Sequence, residues 1–254
     1  MTHGDLILMG AAASGLALAG VTAATYAVVS PHAQLFGPLI DAAPPESRGA
    51  GLKPQIALTF DDGPWPESTG PTLDVLQRNK VSATFFLIGQ RAAEHPDLVR
   101  RIVDEGHIVA NHSWNHFHHG WRRGSAFWRE ELARTNAAIE RACGQSPAWF
   151  RPPLGFKSPM LMRACAQEGY SVITWTRRAF DGVPTTAARI VRRLGVRAQA
   201  GEILCLHDGM DPHSTKRRPA ETVAALEQLL PMWRERGLRA VRLDHLIALN
   251  PYRA

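Results

Sequence analysis

Carboxylate and imidazole side chains stand at two places in this sequence where a short apolar run ends. Asp61 and Asp62 follow residues 55–60, and His112 and His116 follow residues 107–110. Adjacent carboxylates repel one another unless a positive group lies close, and neighbouring side chains on a strand diverge, so the two aspartates should serve separate roles. Histidines at positions i and i+4 can share one helical face and bind one metal ion. One Asp and two His leave a fourth position for water, which is the pattern of catalytic zinc sites and also suits non-haem iron. A structural zinc site would be closed by four protein ligands, and the sequence shows no obvious fourth ligand.

Three other polar residues follow later apolar runs. Arg151 stands before two prolines and could hold a carboxylate through a forked contact. His207 ends the run at residues 202–206, where an acid or a base is useful. Asp181 could orient His207 and raise its pKa by favouring the charged form. Taken singly, these residues equally fit an ordinary loop or a structural histidine, and only their shared position after strand ends favours one site.

Short apolar runs alternate with helical patterns over most of the chain. The candidate strands are residues 55–60, 83–88, 107–110, 148–150, 171–175, 202–206 and 238–241. The candidate helices are residues 71–79, 96–105, 125–143, 159–168, 185–197 and 219–236. This alternation predicts an α/β fold with a mostly parallel sheet, and about seven such units favour a barrel, closed or incomplete. In such a barrel the polar groups after the strand ends meet on one rim.

The N-terminal segment, residues 1–40, is predicted to be a membrane anchor or a signal segment. Residues 6–29 carry no charged side chain, and as a helix they would span roughly 36 Å, enough for a hydrocarbon core of about 30 Å. Because no Lys or Arg precedes this run and residues 25–27 form a weak cleavage site, an uncleaved anchor is preferred over a removed signal peptide. We expect the domain to lie on the periplasmic or extracytoplasmic side. The first positive charges, Arg48 and Lys53, favour the opposite orientation, which stays open.

Residues 41–54 are rich in Pro and Gly and are predicted to be a linker, so that residues 55–254 form one domain. With 45% hydrophobic and 20% charged residues, the composition excludes wholesale disorder and fibrous structure. The net charge of +6 favours anionic ligands or surfaces, but no nucleic-acid recognition motif accompanies it. Three cysteines, none in a Cys-x-x-Cys pair, exclude a disulfide framework and a Cys-rich zinc module.

The sequence resembles the NodB-type polysaccharide deacetylases, carbohydrate esterase family 4, whose motifs occur in the same order along the chain. Residues 59–64 match the first motif of that family, and residues 112–116 match its His-Ser/Thr-x-x-His motif. Residues 151–155 resemble the third motif, and residues 204–208 resemble the fifth. The resemblance implies a distorted (β/α) barrel of about seven parallel strands. It also implies removal of an N-acetyl group from an amino sugar in a glycan, polysaccharide or lipid-linked sugar.

The resemblance assigns roles to the polar residues. It implies that Asp62, His112 and His116 hold a divalent metal ion, usually Zn²⁺. It makes Asp61 the general base and His207 the general acid.

The same resemblance implies a supporting set. It places Arg151 against the base, Asp181 near the acid, the Leu154 N–H at the oxyanion and Leu206 in the wall of the pocket for the acetyl methyl group. In the fourth motif, Gly182 stands where relatives often carry Trp, so the role of Asp181 and the substrate wall at this place stay open.

The expected partners are an acetylated glycan or glycolipid and, through the N-terminal segment, a membrane. Trp121, which stands before Arg122 and Arg123, could stack on a sugar ring, or it could belong to an ordinary packed loop. Two alternatives remain. One is an amide hydrolase of the same fold that acts on a small non-sugar molecule, and the other is a non-catalytic glycan-binding protein.

Overall fold

The computed structural model of the protein describes residues 21–45, 54–213 and 219–253. Within these ranges, eight parallel strands form one curled sheet, which confirms the predicted parallel (β/α) barrel in an incomplete form. The strands are β1 (Gln55–Gly63), β2 (Thr84–Leu87), β3 (Ile108–Asn111), β4 (Trp149–Phe150), β5 (Ser171–Val172), β6 (Arg177–Arg178), β7 (Ile203–His207) and β8 (Arg239–Val241). Their order in the sheet is β5-β4-β3-β2-β1-β7-β6, and β8 pairs with β1.

Helices alternate with these strands along the chain. They are α1 (residues 21–29), α2 (Pro66–Asn79), α3 (Gly89–Glu94), α4 (Pro96–Asp104), α5 (Ser125–Cys143), α6 (Pro159–Gln167), α7 (Ala187–Leu194), α8 (Pro219–Glu235) and α9 (Leu243–Ile247). Proline occupies the first turn of α2, α4 and α6, where its missing N–H leaves no intrahelical bond unmade. Left-handed residues at Lys80 and Gly144 end α2 and α5.

The side chains of β1 alternate between two apolar layers. Ile56, Leu58 and Phe60 belong to the cluster that includes the buried faces of the surrounding helices. Ala57 belongs to the cluster inside the curled sheet. Because successive side chains on a strand point to opposite faces, the same alternation turns Asp61 toward the interior at the carboxyl end of the strand.

Residues 30–43 pack against the barrel, although the sequence assigns them to the anchor and the linker. Ile40 forms a parallel bridge with Ile173, next to β5, and Ala42 forms an antiparallel bridge with Glu202, just before β7. The segment therefore connects two strands that do not pair with each other in the sheet. Within the described residues, this segment therefore packs as part of the same structure as the barrel, and the domain boundary at residue 55 stays a prediction.

The predicted anchor and linker lie partly outside the described residues, which omit positions 1–20 and 46–53. The described part of the anchor comprises α1 and residues 30–40. None of the helices within the described ranges combines the length and the apolar composition that a membrane span needs.

Substitutions in the N-terminal segment test whether it is part of the domain. Leu39 is 7% exposed and belongs to an apolar cluster, so Leu39→Ala should lower the free energy of unfolding by about 2–3 kcal/mol. Leu35, in the same segment, is 72% exposed, and Leu35→Ala should change that free energy by no more than about 0.5 kcal/mol. Urea unfolding of the full chain measures both variants. Equal, negligible effects would show that the segment behaves as a linker.

Candidate active site

A bulge at the end of β1 brings two adjacent aspartates to the same cavity. Asp61 pairs with Phe86 of β2 and with His207 of β7. The register between β1 and β2 then shifts between Asp61 and Gly63, and Asp62 has a left-handed φ of 72°. A bulge adds an unpaired residue and redirects its side chain, and aspartate occurs at positive φ more often than most residues. Both carboxylates therefore line one cavity of about 220 Å³, instead of diverging as on a regular strand.

Two contacts support the unusual backbone at Asp62. Arg91 Nη1 donates a hydrogen bond to the Asp62 carbonyl at 2.6 Å, and the Arg91 guanidinium lies 4.7 Å from the centre of the Trp65 ring. On the other side, a Cβ at Gly63 would lie 2.1 Å from Asp208 Oδ2. The close approach of the Asp208 carboxylate therefore requires glycine after the aspartate pair.

His112 and His116 lie on a loop rather than on a helix. Ser113 and His116 have left-handed φ values of 66° and 53°, which a right-handed helix cannot contain. The loop is held instead by Glu131 of α5, a buried carboxylate that accepts a hydrogen bond from the Trp114 N–H at 3.0 Å. The shared helical face expected from the spacing is therefore wrong. The two imidazole rings still converge, with centroids 5.0 Å apart.

Asp62, His112 and His116 fit a divalent metal ion. Nε2 of His112 and Nε2 of His116 lie 3.4 and 3.3 Å from Asp62 Oδ1, and this buried oxygen has no hydrogen-bond partner among the described residues. Bonds of about 2.0–2.2 Å around a tetrahedral ion place neighbouring ligand atoms roughly 3.3–3.5 Å apart. Nδ1 of His112 lies 2.8 Å from the Arg151 carbonyl, so Nδ1 carries the proton and Nε2 is available as a ligand.

The electrostatics of Asp62 agree with this assignment. Burial alone would raise the pKa of the Asp62 carboxyl, but the imidazoles of His116 and His112 outweigh burial and hold that pKa well below its usual range. The carboxylate is thus ionised and surrounded by groups that favour its negative charge.

Asp61 forms a buried ion pair beside the candidate metal site of Asp62, His112 and His116. Arg151 Nη1 donates to Asp61 Oδ1 at 2.6 Å and lies 2.8 Å from Thr59 Oγ1, while Nη2 donates to the Thr174 carbonyl at 2.9 Å. The Cys205 thiol lies 3.3 Å from the other Asp61 oxygen. Arg151 thus supplies the positive charge that Asp61 needs, and Asp61 does not have to serve as a metal ligand.

His207 forms a second pair with a buried carboxylate. Its Nδ1 lies 2.7 Å from Asp181 Oδ1, its backbone N–H donates to Asp181 Oδ2 at 3.0 Å, and Thr222 Oγ1 donates to the same oxygen at 2.8 Å. Burial alone lowers the pKa of His207, but the Asp181 carboxylate, with Asp62 and Asp61, outweighs burial and raises that pKa to about 9. His207 lines the cavity, and the ring nitrogen that Asp181 contacts is Nδ1 rather than Nε2.

Leu206 does not line the cavity formed by the described residues. The alternation along β7 places Leu206 with Leu204 in the apolar layer under the helices, and it turns Cys205 toward the cavity. The prediction that Leu206 forms the wall of the acetyl pocket is therefore wrong. Leu154 and Trp175 are apolar residues that do line the cavity.

The two other residues predicted to bind substrate occupy different places. Leu154 has a left-handed φ of 57° on the turn Pro153–Gly155 and lies at the cavity wall. Trp121, on the turn Gly120–Arg122, is 37% exposed and is not among the described residues that line the cavity. Contact between Trp121 and a substrate stays a prediction.

Sequence reasoning missed Asp211, which lies beside His116, one of the candidate metal ligands. Its Oδ1 lies 3.5 Å from His116 Nδ1, and its Oδ2 lies 2.6 Å from His118 Nε2. A carboxylate behind a ligating imidazole orients the ring and increases its basicity. The pair of histidines after His116 was a signal, but nothing in the sequence connects it with a residue so far along the chain.

Taken together, the barrel and its rim define a metal-dependent hydrolase, and the comparisons with known proteins agree. A family model described as polysaccharide deacetylase matches residues 48–173. A chitooligosaccharide deacetylase of Sinorhizobium fredii is 36% identical over 203 residues, covering 76% of this chain and 92% of that protein. A peptidoglycan-N-acetylglucosamine deacetylase of Bacillus cereus is 32% identical over 194 residues, covering 76% and 87%. The chain belongs to the polysaccharide deacetylase family, carbohydrate esterase family 4.

Solved structures with the same fold include active and inactive members. The Bc1960 peptidoglycan N-acetylglucosamine deacetylase superposes with a TM-score of 0.75 at 26% identity, covering 85% of this chain and 95% of that one. A family 4 carbohydrate esterase from Streptomyces lividans, in complex with acetate, has a TM-score of 0.66 at 35% identity, covering 74% and 91%. A family 4 pseudoenzyme from Bacillus anthracis has a TM-score of 0.69 at 26% identity, covering 78% and 67%. Activity must therefore be argued from the site and not from the fold.

The Asp181–His207 pair can be tested without a substrate. In Asp181→Asn, loss of the carboxylate removes the largest influence that raises the pKa of His207, so this pKa should fall clearly below about 9. Proton–carbon NMR titration of the histidine rings in the full chain measures this change. Asp97→Asn, on the exposed surface of α4, is the control and should leave the His207 titration unchanged. An unaltered His207 pKa in Asp181→Asn would contradict the pairing.

Proposed function

We propose that the protein removes the N-acetyl group from an amino sugar in a glycan, polysaccharide or lipid-linked sugar, with Zn²⁺ as the metal ion. The observation that carries this proposal is the presence, in one cavity, of an arginine-paired carboxylate, a carboxylate-paired histidine and a three-residue metal site. An amide hydrolase that uses water needs a base, an acid and a means to polarise the carbonyl. This cavity offers a residue for each.

The roles follow from the contacts of each side chain. Asp62, His112 and His116 would hold a divalent ion, which would act there as a Lewis acid on the carbonyl and would make a nearby water more acidic. Asp61, oriented by Arg151, takes a proton from the water as its oxygen bonds to the acetyl carbon.

The second half of the reaction requires an acid. The carbon–nitrogen bond breaks only when the departing amine receives a proton, and His207 Nε2 donates it while Asp181 keeps the ring oriented. The backbone N–H of Leu154 is proposed as a donor to the oxyanion, a contribution often worth about 3 kcal/mol. The products are acetate and the free amino sugar.

Zinc is proposed from the donor set. Two imidazole nitrogens and one carboxylate oxygen, spaced for a tetrahedral ion, match catalytic zinc sites that keep an open position. The same donor types occur in non-haem iron sites, and the metal content of the protein distinguishes the two.

A glycan substrate is supported by the relatives, which are named for chitooligosaccharide and for peptidoglycan N-acetylglucosamine. The alternative, a small non-sugar amide, is favoured by Gly182. A Cβ at this position would lie 3.2 Å from the His207 ring, so glycine leaves one side of the acid open. A purely glycan-binding role is disfavoured because both Asp61 and His207 are in place.

We also propose that the N-terminal segment anchors the domain at the extracytoplasmic face of a membrane. The uncharged run at residues 6–29 supports this, as do Val21, Tyr26 and Val29, which are exposed apolar residues on α1. In spheroplasts of cells that express the full chain, in which the outer layers are removed and the cytoplasmic membrane is intact, added protease should cleave the domain, and the uncleaved protein should be found in the membrane fraction. Complete protection in spheroplasts, with cleavage after lysis, would place the domain in the cytoplasm.

Acetate release and metal content together test the proposed function. The zinc-loaded full chain should release acetate from N-acetyl chito-oligosaccharides. Asp61→Asn should keep one zinc ion per chain yet lose turnover by at least about 100-fold, whereas Asp62→Ala should lose the ion as well. Coupled acetate assays and atomic emission spectroscopy measure the two quantities. Near-normal turnover in Asp61→Asn would show that the base is wrongly assigned, and release from small amides alone would favour the alternative.

A further inference from the structure

The carboxylates that line the catalytic cavity all have partners inside the protein. Asp61 pairs with Arg151, Asp62 lies against the metal-site histidines, and Asp211 contacts His118. Arg178 differs from them. It is the only Lys or Arg side chain among the described residues that line this cavity.

The side chain of Arg178 is exposed, and within the described ranges of the chain its guanidinium has no ion pair and no hydrogen-bond acceptor. The preceding residue shows the contrast. Arg177, in the same short strand β6, holds Glu202 through two contacts at 2.6 and 3.0 Å. One arginine of the strand is therefore neutralised within the fold, and the other presents an uncompensated positive charge at the cavity.

An aromatic ring nevertheless fixes the position of Arg178. Its guanidinium lies 4.1 Å from the centre of the Phe180 ring, and Arg193 lies 5.0 Å from the same ring. Arg193 also donates to the Ala179 carbonyl at 2.9 Å, which ties this segment to α7. Stacking on an aromatic face holds a guanidinium while its N–H edge remains free to bind.

Phe180 itself occupies an unfavourable backbone conformation. Its φ is 58°, which is rare for a bulky residue and is often found at functional sites. It is 44% exposed and lines the cavity, so its ring is not placed there to fill the core. Phe180 thus adopts a strained backbone conformation in which its ring supports the Arg178 guanidinium at the cavity wall.

We propose that Arg178, supported by Phe180, binds an anionic group of the substrate. The preferred substrate is then an N-acetylated glycan that carries a carboxylate or a phosphate close to the acetamido group. A planar guanidinium with a free edge matches either anion through two parallel hydrogen bonds. This inference rests on the proposed function and names the substrate class for that site.

The test compares substrates that differ in charge but share the acetamido group. They are N-acetyl chitotetraose, which is neutral, a peptide-free N-acetylglucosamine–N-acetylmuramic acid tetrasaccharide, which carries carboxylates, and a chito-oligosaccharide 1-phosphate. The variant is Arg178→Gln, and Arg192→Gln is the matched control, because Arg192 is an exposed arginine of α7 that does not line the cavity. Phe180→Leu removes the aromatic support and leaves the charge.

Wild-type enzyme should show a higher kcat/KM for at least one anionic substrate than for the neutral one. Arg178→Gln should lower kcat/KM for that anionic substrate by about tenfold or more, mainly through KM, with less than a twofold effect on the neutral substrate. Phe180→Leu should show a smaller loss in the same direction, and Arg192→Gln should show none. Added salt should weaken the preference of the wild-type enzyme.

The outcomes separate this inference from the proposed function. A preference limited to the tetrasaccharide would identify a carboxylate as the bound group, and one limited to the 1-phosphate would identify a phosphate. Acetate release without any anionic preference, or equal losses on neutral and anionic substrates in Arg178→Gln, would overturn the role of Arg178 alone. If none of the three substrates released acetate, the proposed function would fail, and this inference with it.

Discussion

The site depends on the burial of two adjacent carboxylates at the end of one strand. Asp61 and Asp62 are each 2% exposed, and a buried ionised group is stable only when a charge or several hydrogen bonds compensate it. The protein compensates the two separately. Arg151 reaches Asp61 from the end of β4, and the imidazoles of His112 and His116 approach Asp62 from the loop after β3. This division keeps Asp61 apart from the candidate metal site, as its proposed role as the base requires, and leaves Asp62 an oxygen with no hydrogen-bond partner among the described residues.

The sequence predicts the frame of this arrangement well. The seven predicted strands correspond to observed strands, and their polar ends meet on one rim, because parallel strands place their carboxyl ends on the same side. The strand Arg177–Arg178 and the short helices Gly89–Glu94 and Leu243–Ile247 were not predicted, since elements so short carry little periodic signal.

The parts that sequence reasoning missed depend on which face of a strand a side chain points to and on contacts between residues far apart in the sequence. Leu206 and Cys205 are neighbours, and only the pairing of β7 decides which of them faces the cavity. On a regular strand Asp61 and Asp62 would point to opposite faces, but the bulge at Asp62 turns both toward the cavity. No residue pattern in the sequence predicts this bulge. Arg91 and Asp211 act on residues far from them along the chain. The family resemblance supplied the roles that geometry alone leaves open, and those roles remain proposals for this protein.

The central claim is that one metal ion binds between Asp62, His112 and His116, and locating that ion tests it most directly. Crystals of the zinc-loaded full chain, measured above and below the zinc absorption edge, would locate the ion by anomalous scattering. The account predicts a single strong peak within bonding distance of the Asp62 carboxylate and of Nε2 of both histidines, with Asp61 close by but still bonded to Arg151. A peak at His118 and Asp211 instead, or zinc bound directly to Asp61, would contradict it.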